Sequence, residues 1–252
     1  MKRNVFITGA TAGIGKACAE KFAANGDNLI INGRRKERLE DLKKSLQEKY
    51  EIEIFCASFD VRNKEEVFEN INALPEQWKS FDVLINNAGL ALGKEPFDKA
   101  DLLDWETMVD TNIKGLLYVS KAVIPFMVKR NSGHIINIGS TAGDEVYEGG
   151  NIYCATKRAV ESISQAMRID LLPHHIKVTN IKPGAAETEF SLVRFKGDEE
   201  KADKTYEGLV PLTAEDIAGT IFYCASLPPN VCINSLTITC TAQANGIYSY
   251  RK

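Results

Sequence analysis

Val5-Phe6-Ile7-Thr8-Gly9-Ala10-Thr11-Ala12-Gly13-Ile14-Gly15 decides the fold. Residues 5–8 are a short apolar run, which predicts a buried strand. Residues 13–24 follow with helical spacing, so the glycines fall in a tight strand-to-helix turn. Glycine lets the backbone bend sharply there and lets another group approach with no Cβ in the way. A helix N-terminus offers unpaired N–H groups and a partial positive charge, so this turn can hold a pyrophosphate. Gly9, Thr11, Ala12, Gly13, Ile14 and Gly15 are the candidate contacts. The spacing is GxxxGxG, not the GxGxxG of the general dinucleotide fingerprint. Alone, such glycines suit a turn in any α/β protein equally well; the preceding strand and following helix favour a nucleotide.

The alternation continues outward. Strands are expected at residues 28–31, 53–56 and 82–86, with helices at 37–50 and 64–74. In the first of these helices Leu39, Leu42 and Leu46 fall at helical spacing. The second half predicts helices at about 101–111 and 115–130, a strand at 134–138 and a long helix at 150–172. A strand at 177–181, a helix at 213–226 and a last strand near 236–239 complete the pattern. It predicts one α/β domain over 1–252, a Rossmann-type, doubly wound parallel sheet of about seven strands with helices on both faces. The charged stretch 194–204 lacks periodicity and is the candidate for a mobile substrate lid at about 188–210.

Composition narrows the function classes. The 252 residues are 44% hydrophobic and 26% charged, enough for a single large core. A net charge of −3 gives no basic surplus for a phosphate backbone, so nucleic acid is excluded as a partner. Six scattered cysteines without a CxxC pair suit free thiols in a reducing compartment. Three histidines, two of them adjacent, give no metal-ligand spacing. The apolar run at 5–8 is too short for a signal peptide, and the run at 116–128 is broken by Lys121 and Pro125. No membrane partner and a cytoplasmic location are expected.

Three further motifs carry chemistry. Strand two ends in Asn32-Gly33-Arg34-Arg35. An NAD site usually has an acid here for the ribose 2′-hydroxyl. Gly33 removes it, and Arg34 and Arg35 can fork onto a 2′-phosphate. Read blandly, the arginines are solvated and start a helix, but there they would oppose its dipole. NADP is therefore the expected cofactor. Tyr153-Cys154-Ala155-Thr156-Lys157 places a phenol and an amine one helical turn apart. A nearby cation lowers a phenol's pKa toward the range useful for acid–base work, although most such pairs only decorate a surface. Ser140 ends the strand 134–138, where ligands of open α/β sheets bind. A serine there also suits a cap or turn.

Together these residues resemble the short-chain dehydrogenase/reductase family over essentially the whole chain. The likeness rests on the Gly9–Gly15 turn, Asn86-Asn87-Ala88-Gly89, Asn112, Ser140, Tyr153 with Lys157, and Pro183-Gly184, in the family's order and spacing. It implies that Tyr153 exchanges the proton with the substrate oxygen, and that Lys157 lowers the Tyr153 pKa and holds the nicotinamide ribose. It implies that Ser140 steadies the substrate oxygen and that Asn112 supports a proton relay. Asp60 and Val61 would border the adenine, Asn87, Ala88 and Gly89 the cofactor channel, and residues 183–188, including Thr188, the nicotinamide. A homotetramer built through helices 115–130 and 150–172 is also implied.

A narrower likeness, at residues 87–93, 104–108, 187–191 and 194–198, is to the NADP-dependent 3-hydroxy acid dehydrogenases. It implies oxidation of L-serine, allo-threonine or 3-hydroxyisobutyrate, or reduction of malonic semialdehyde. A carboxylate substrate wants a cation, which Arg194 or Lys196 could supply; each could equally be a solvated loop charge. Two other readings stand beside this one: a 3-oxoacyl carrier-protein reductase, and a non-catalytic nucleotide sensor, which typically lacks the tyrosine or lysine.

Overall fold

A computed structural model describes residues 2–252. Its seven parallel strands are β1 (Asn4–Ile7), β2 (Asn28–Gly33), β3 (Ile54–Ser58), β4 (Phe81–Asn86), β5 (Gly133–Ile138), β6 (Ile176–Pro183) and β7 (Ser235–Ile238). They lie in the order β3-β2-β1-β4-β5-β6-β7. The direction of winding reverses between β1 and β4, which opens a crevice at the carboxyl ends of those strands.

Consecutive residues of β1 explain why its sequence is apolar without alternation. Val5 and Ile7 pack on one face with Leu29, Ile31, Val83 and Ile85. Phe6 packs on the other with Ile30, Leu84, Ile135 and Val178. A strand covered on both faces reads as a continuous apolar run. The first face is covered by α1 (Gly13–Ala23), α2 (Lys36–Gln47) and α9 (Ala214–Ala225). The second is covered by α3 (Lys64–Asn72) and α5 (Leu116–Arg130), with Met167 of α6 (Asn151–Asp170) at its edge. Among the described residues no helix is long and apolar enough to cross a membrane. All six cysteines are free thiols.

Two regions differ from the sequence expectation. The two helices expected at 101–130 are joined without a loop: α4 (Leu102–Val109) passes through a π-helical turn, Asp110–Gly115, into α5. Such turns insert an extra residue and recur at functional sites; Asn112 lies in this one. The supposedly aperiodic lid region is in fact helical. It forms α7 (Glu189–Arg194) and α8 (Glu199–Lys204), capped by the Thr188 and Asp198 side chains. Six residues are too few to show a helical period.

Several polar side chains inside the sheet pair with one another. Asn86 donates to Ser120 and to Asn137, and Asn137 donates to Ser164, all at 2.9 Å. His134 on β5 meets Thr179 on β6 at 2.7 Å. Burial, aided by the Lys177 and Arg3 charges, pulls the His134 imidazole down from 6.5 to about 3. The unfolded chain therefore takes up a proton that the fold refuses. Stability falls as pH drops from 6.5 toward 3, at up to about 1.4 kcal/mol per pH unit. Urea titrations of His134→Phe across that window should show a flatter acid slope than the parent. An unchanged slope would assign the acid sensitivity to other groups.

Candidate active site

The crevice is a cavity of about 590 Å³ above β1, β4, β5 and β6. On one side stands the glycine turn. Gly9 and Gly13 have positive φ, +67° and +50°. Thr8 ties this turn to the end of β4: its hydroxyl accepts from the Asn87 and Ala88 N–H groups, both at 3.0 Å. The Asn87 amide donates back to the Thr8 and Gly9 carbonyls at 2.9 and 3.2 Å. The start of α1 has no side-chain cap, whereas α3, α4 and α9 are capped by Asn63, Asp101 and Thr213. An uncapped N-terminus behind a glycine cradle fits a phosphate group. Arg35 lines the same cavity, hydrogen-bonded to the Thr11 hydroxyl at 3.0 Å.

The other side holds Ser140, Tyr153 and Lys157. Ser140 lines the cavity and acts as a cap. Its hydroxyl caps a short 3₁₀ turn by accepting from the Ala142 N–H at 3.1 Å and donates to the Pro183 carbonyl at 3.4 Å. The Lys157 ammonium donates to the Ile138 carbonyl at 2.8 Å and lies 5.9 Å from the Tyr153 ring centre. Burial pulls this amine down to about 8. Burial, aided by Tyr147 and Cys154, pushes the Tyr153 phenol well above its ordinary value; the Ser140 hydroxyl and the Arg194 charge pull it back. The amine and the phenol share one desolvated pocket, and two cations flank the phenol ring: Lys157 at 5.9 Å and Arg194 at 5.7 Å.

Gly9, Thr11, Ala12, Gly13, Ile14, Arg35, Asn87, Ala88, Gly89, Ser140, Tyr153, Lys157, Pro183, Gly184, Thr188 and Arg194 all line the cavity. Six expected residues do not. Gly15 sits beneath the turn, where a Cβ would collide with the Gly9 carbonyl and the Asn87 amide. Arg34 points at Asp60, 3.8 Å away, and Asp60 is also held by Arg62 at 2.7 Å. Val61 is buried against Gly115. Asn112 lies behind the wall, bonding the Leu90 carbonyl at 2.8 Å and the Thr156 hydroxyl at 3.1 Å. Lys196 is also elsewhere, paired with Asp104 at 2.8 Å.

A sequence profile described as short chain dehydrogenase matches residues 3–198. The chain belongs to that family. Short chain dehydrogenases related to it include the NADP-dependent 3-hydroxy acid dehydrogenase YdfG of Salmonella typhi, 52% identical over 95% of this chain and 96% of the relative. Sulfoacetaldehyde reductase 2 of Chromohalobacter salexigens is 45% identical over 95% of each chain. Among solved structures, the closed form of a serine dehydrogenase complexed with NADP+ superposes with a TM-score of 0.93. That protein is 48% identical and covers 99% of this short chain dehydrogenase and 100% of its own chain.

Several wall residues were missed in the sequence. Lys94, Tyr147, Phe190, Tyr206 and Gln243 all line the cavity. Gln243 accepts from the Ala185 N–H at 2.8 Å. It belongs to a terminal hairpin in which Gln243 bridges Ser249, and Asn245-Gly246 was the turn signal available in the sequence.

Proposed function

We propose that this short chain dehydrogenase transfers hydride between NADP(H) and a small 3-hydroxy acid or its semialdehyde or keto form. The observation that carries the proposal is the shared cavity: Tyr153, Ser140 and Lys157 on one wall, the uncapped α1 and Arg35 on the other. The nicotinamide supplies the hydride chemistry when bound. During oxidation Tyr153 takes the substrate hydroxyl proton; during reduction it returns that proton to the carbonyl oxygen. Ser140 holds the substrate oxygen, and Lys157, anchored on Ile138, holds the ribose side. Asn112 supports the relay behind Lys157 by bracing the Leu90 segment. Arg35, which lines the cavity, receives the 2′-phosphate.

A substrate carboxylate needs a cation on the wall. Arg194 reaches the cavity, but its Nε and Nη groups already donate to Gly93, Tyr147 and Gly149. Lys94 also lines it and, among the described residues, has no carboxylate within ion-pair distance. The same reading includes a cytoplasmic homotetramer and a lid formed by α7 and α8.

Steady-state assays test this, with L-serine, allo-threonine, 3-hydroxyisobutyrate and sulfoacetaldehyde run in parallel with NADP(H) and NAD(H). Turnover of the hydroxy acids with NADP is expected. Turnover confined to thioester-linked substrates would reject it in favour of an acyl carrier-protein reductase. Turnover confined to sulfoacetaldehyde would replace the carboxylate by a sulfonate. In the same assay Arg35→Ser should raise the KM for NADP about tenfold, the worth of one lost charged hydrogen bond, and leave the KM for NAD in place.

A further inference from the structure

One of the two cations beside the Tyr153 ring belongs to α7, not to the helix that carries Tyr153. Arg194 ends α7 and makes a two-way bond with Gly93. The Gly93 N–H donates to the Arg194 carbonyl at 2.9 Å, and Arg194 Nε donates to the Gly93 carbonyl at 3.0 Å. The guanidinium also donates to the Tyr147 hydroxyl at 2.8 Å and to the Gly149 carbonyl at 3.4 Å. Its central carbon then lies 5.5 Å from the Tyr147 ring centre and 5.7 Å from that of Tyr153. Phe190 of the same helix packs on the Tyr153 ring at 5.6 Å. Every acceptor on Arg194 is neutral, and among the described residues no carboxylate pairs with it, so its charge is not cancelled.

We infer that Arg194 is a positioning residue that raises the acidity of Tyr153 only while α7 is docked, making lid seating and acid–base readiness a single event. This rests on the reading of Tyr153 as the acid–base group. The groups facing that phenol are Lys157 and Cys154 on α6, Ser140 after β5, Tyr147 on the loop before α6, and Arg194 on α7. Lys94 and Glu148 stand farther along the wall. Of these, Ser140, Lys157 and Arg194 favour the phenolate. Only Arg194 sits on an element outside the strand-and-helix frame of the site. A unit charge roughly 6 Å away at an effective dielectric of about 20 shifts a pKa by up to about two units, and partial access of water brings this to about one.

The test is the pH profile of kcat/KM for oxidation at saturating NADP+, with a hydroxy acid and with its methyl ester. Parent, Arg194→Met, Arg194→Lys and Tyr153→Phe enzymes are compared. Arg194→Met should move the rising limb about one pH unit toward alkaline for both substrates, and Arg194→Lys should restore most of the shift. Gly93→Ala strains a backbone at φ +69° and breaks the two-way bond while keeping the arginine; it should move the limb in the same direction. An even loss at all pH values, with the limb in place, would make Arg194 a mere latch. A loss seen with the acid alone would make it the carboxylate holder. Both results overturn the inference. Parent-like activity in Tyr153→Phe would instead overturn the acid–base reading beneath it.

Discussion

Replacing Tyr153 with phenylalanine should lower kcat by about 10²–10⁴-fold, the usual worth of a positioned acid–base group. The reason is local. The tyrosine ring is buried among Ala91, Met108, Ala142 and Cys154, and phenylalanine fills the same volume. Only the hydroxyl is lost. The melting temperature and the dissociation constant for NADP should stay close to the parent's, which separates a chemical loss from a folding loss. Single-turnover hydride transfer followed by nicotinamide absorbance measures the effect. If the variant keeps a tenth of the parent rate, another group handles the proton.

Gly15→Ala should cost stability and cofactor affinity together. The added methyl would fall on the Gly9 carbonyl and on the Asn87 amide. Neither can yield cheaply, because that amide is bonded to the Thr8 and Gly9 carbonyls and fixes the turn to β4. Overpacking of this kind costs about 1–3 kcal/mol, or roughly 2–4 °C in Tm per kcal/mol for a chain of this size. Relief comes only by opening the cradle, so NADP affinity should fall as well. Gly219→Ala on α9 is the control, since a Cβ there meets nothing within 4 Å. Parent-like melting and NADP binding in Gly15→Ala would show that the turn is looser than its contacts imply.

The sheet was legible because its strands are covered on both faces. Val5, Phe6 and Ile7 alternate between the two faces of the sheet, yet all three are buried, so the sequence shows an apolar run closed by glycine. The Tyr153–Lys157 spacing was legible for the same kind of reason: one helical turn is a local property. Acidity is not. That Arg194 joins Lys157 beside the phenol depends on burial and on the docking of α7, which no spacing encodes. The Arg34 pair that reaches Asp60 and the Gly115 contact that buries Val61 lie equally outside any local spacing rule. Both contacts are tertiary. The caps of α7 and α8, Thr188 and Asp198, were visible signals that six-residue helices were too short to support.

The bare start of α1 also bears on how long the molecule survives. A ligand that satisfies those amides binds the folded chain and not the unfolded one, so each occupied site adds to stability by mass action, about 2.7 kcal/mol at a hundredfold excess over Kd. Resistance to proteases then rises and falls with the supply of that nucleotide. A cell depleted of the dinucleotide would clear the chain faster, so its abundance would follow the metabolic state that its activity serves.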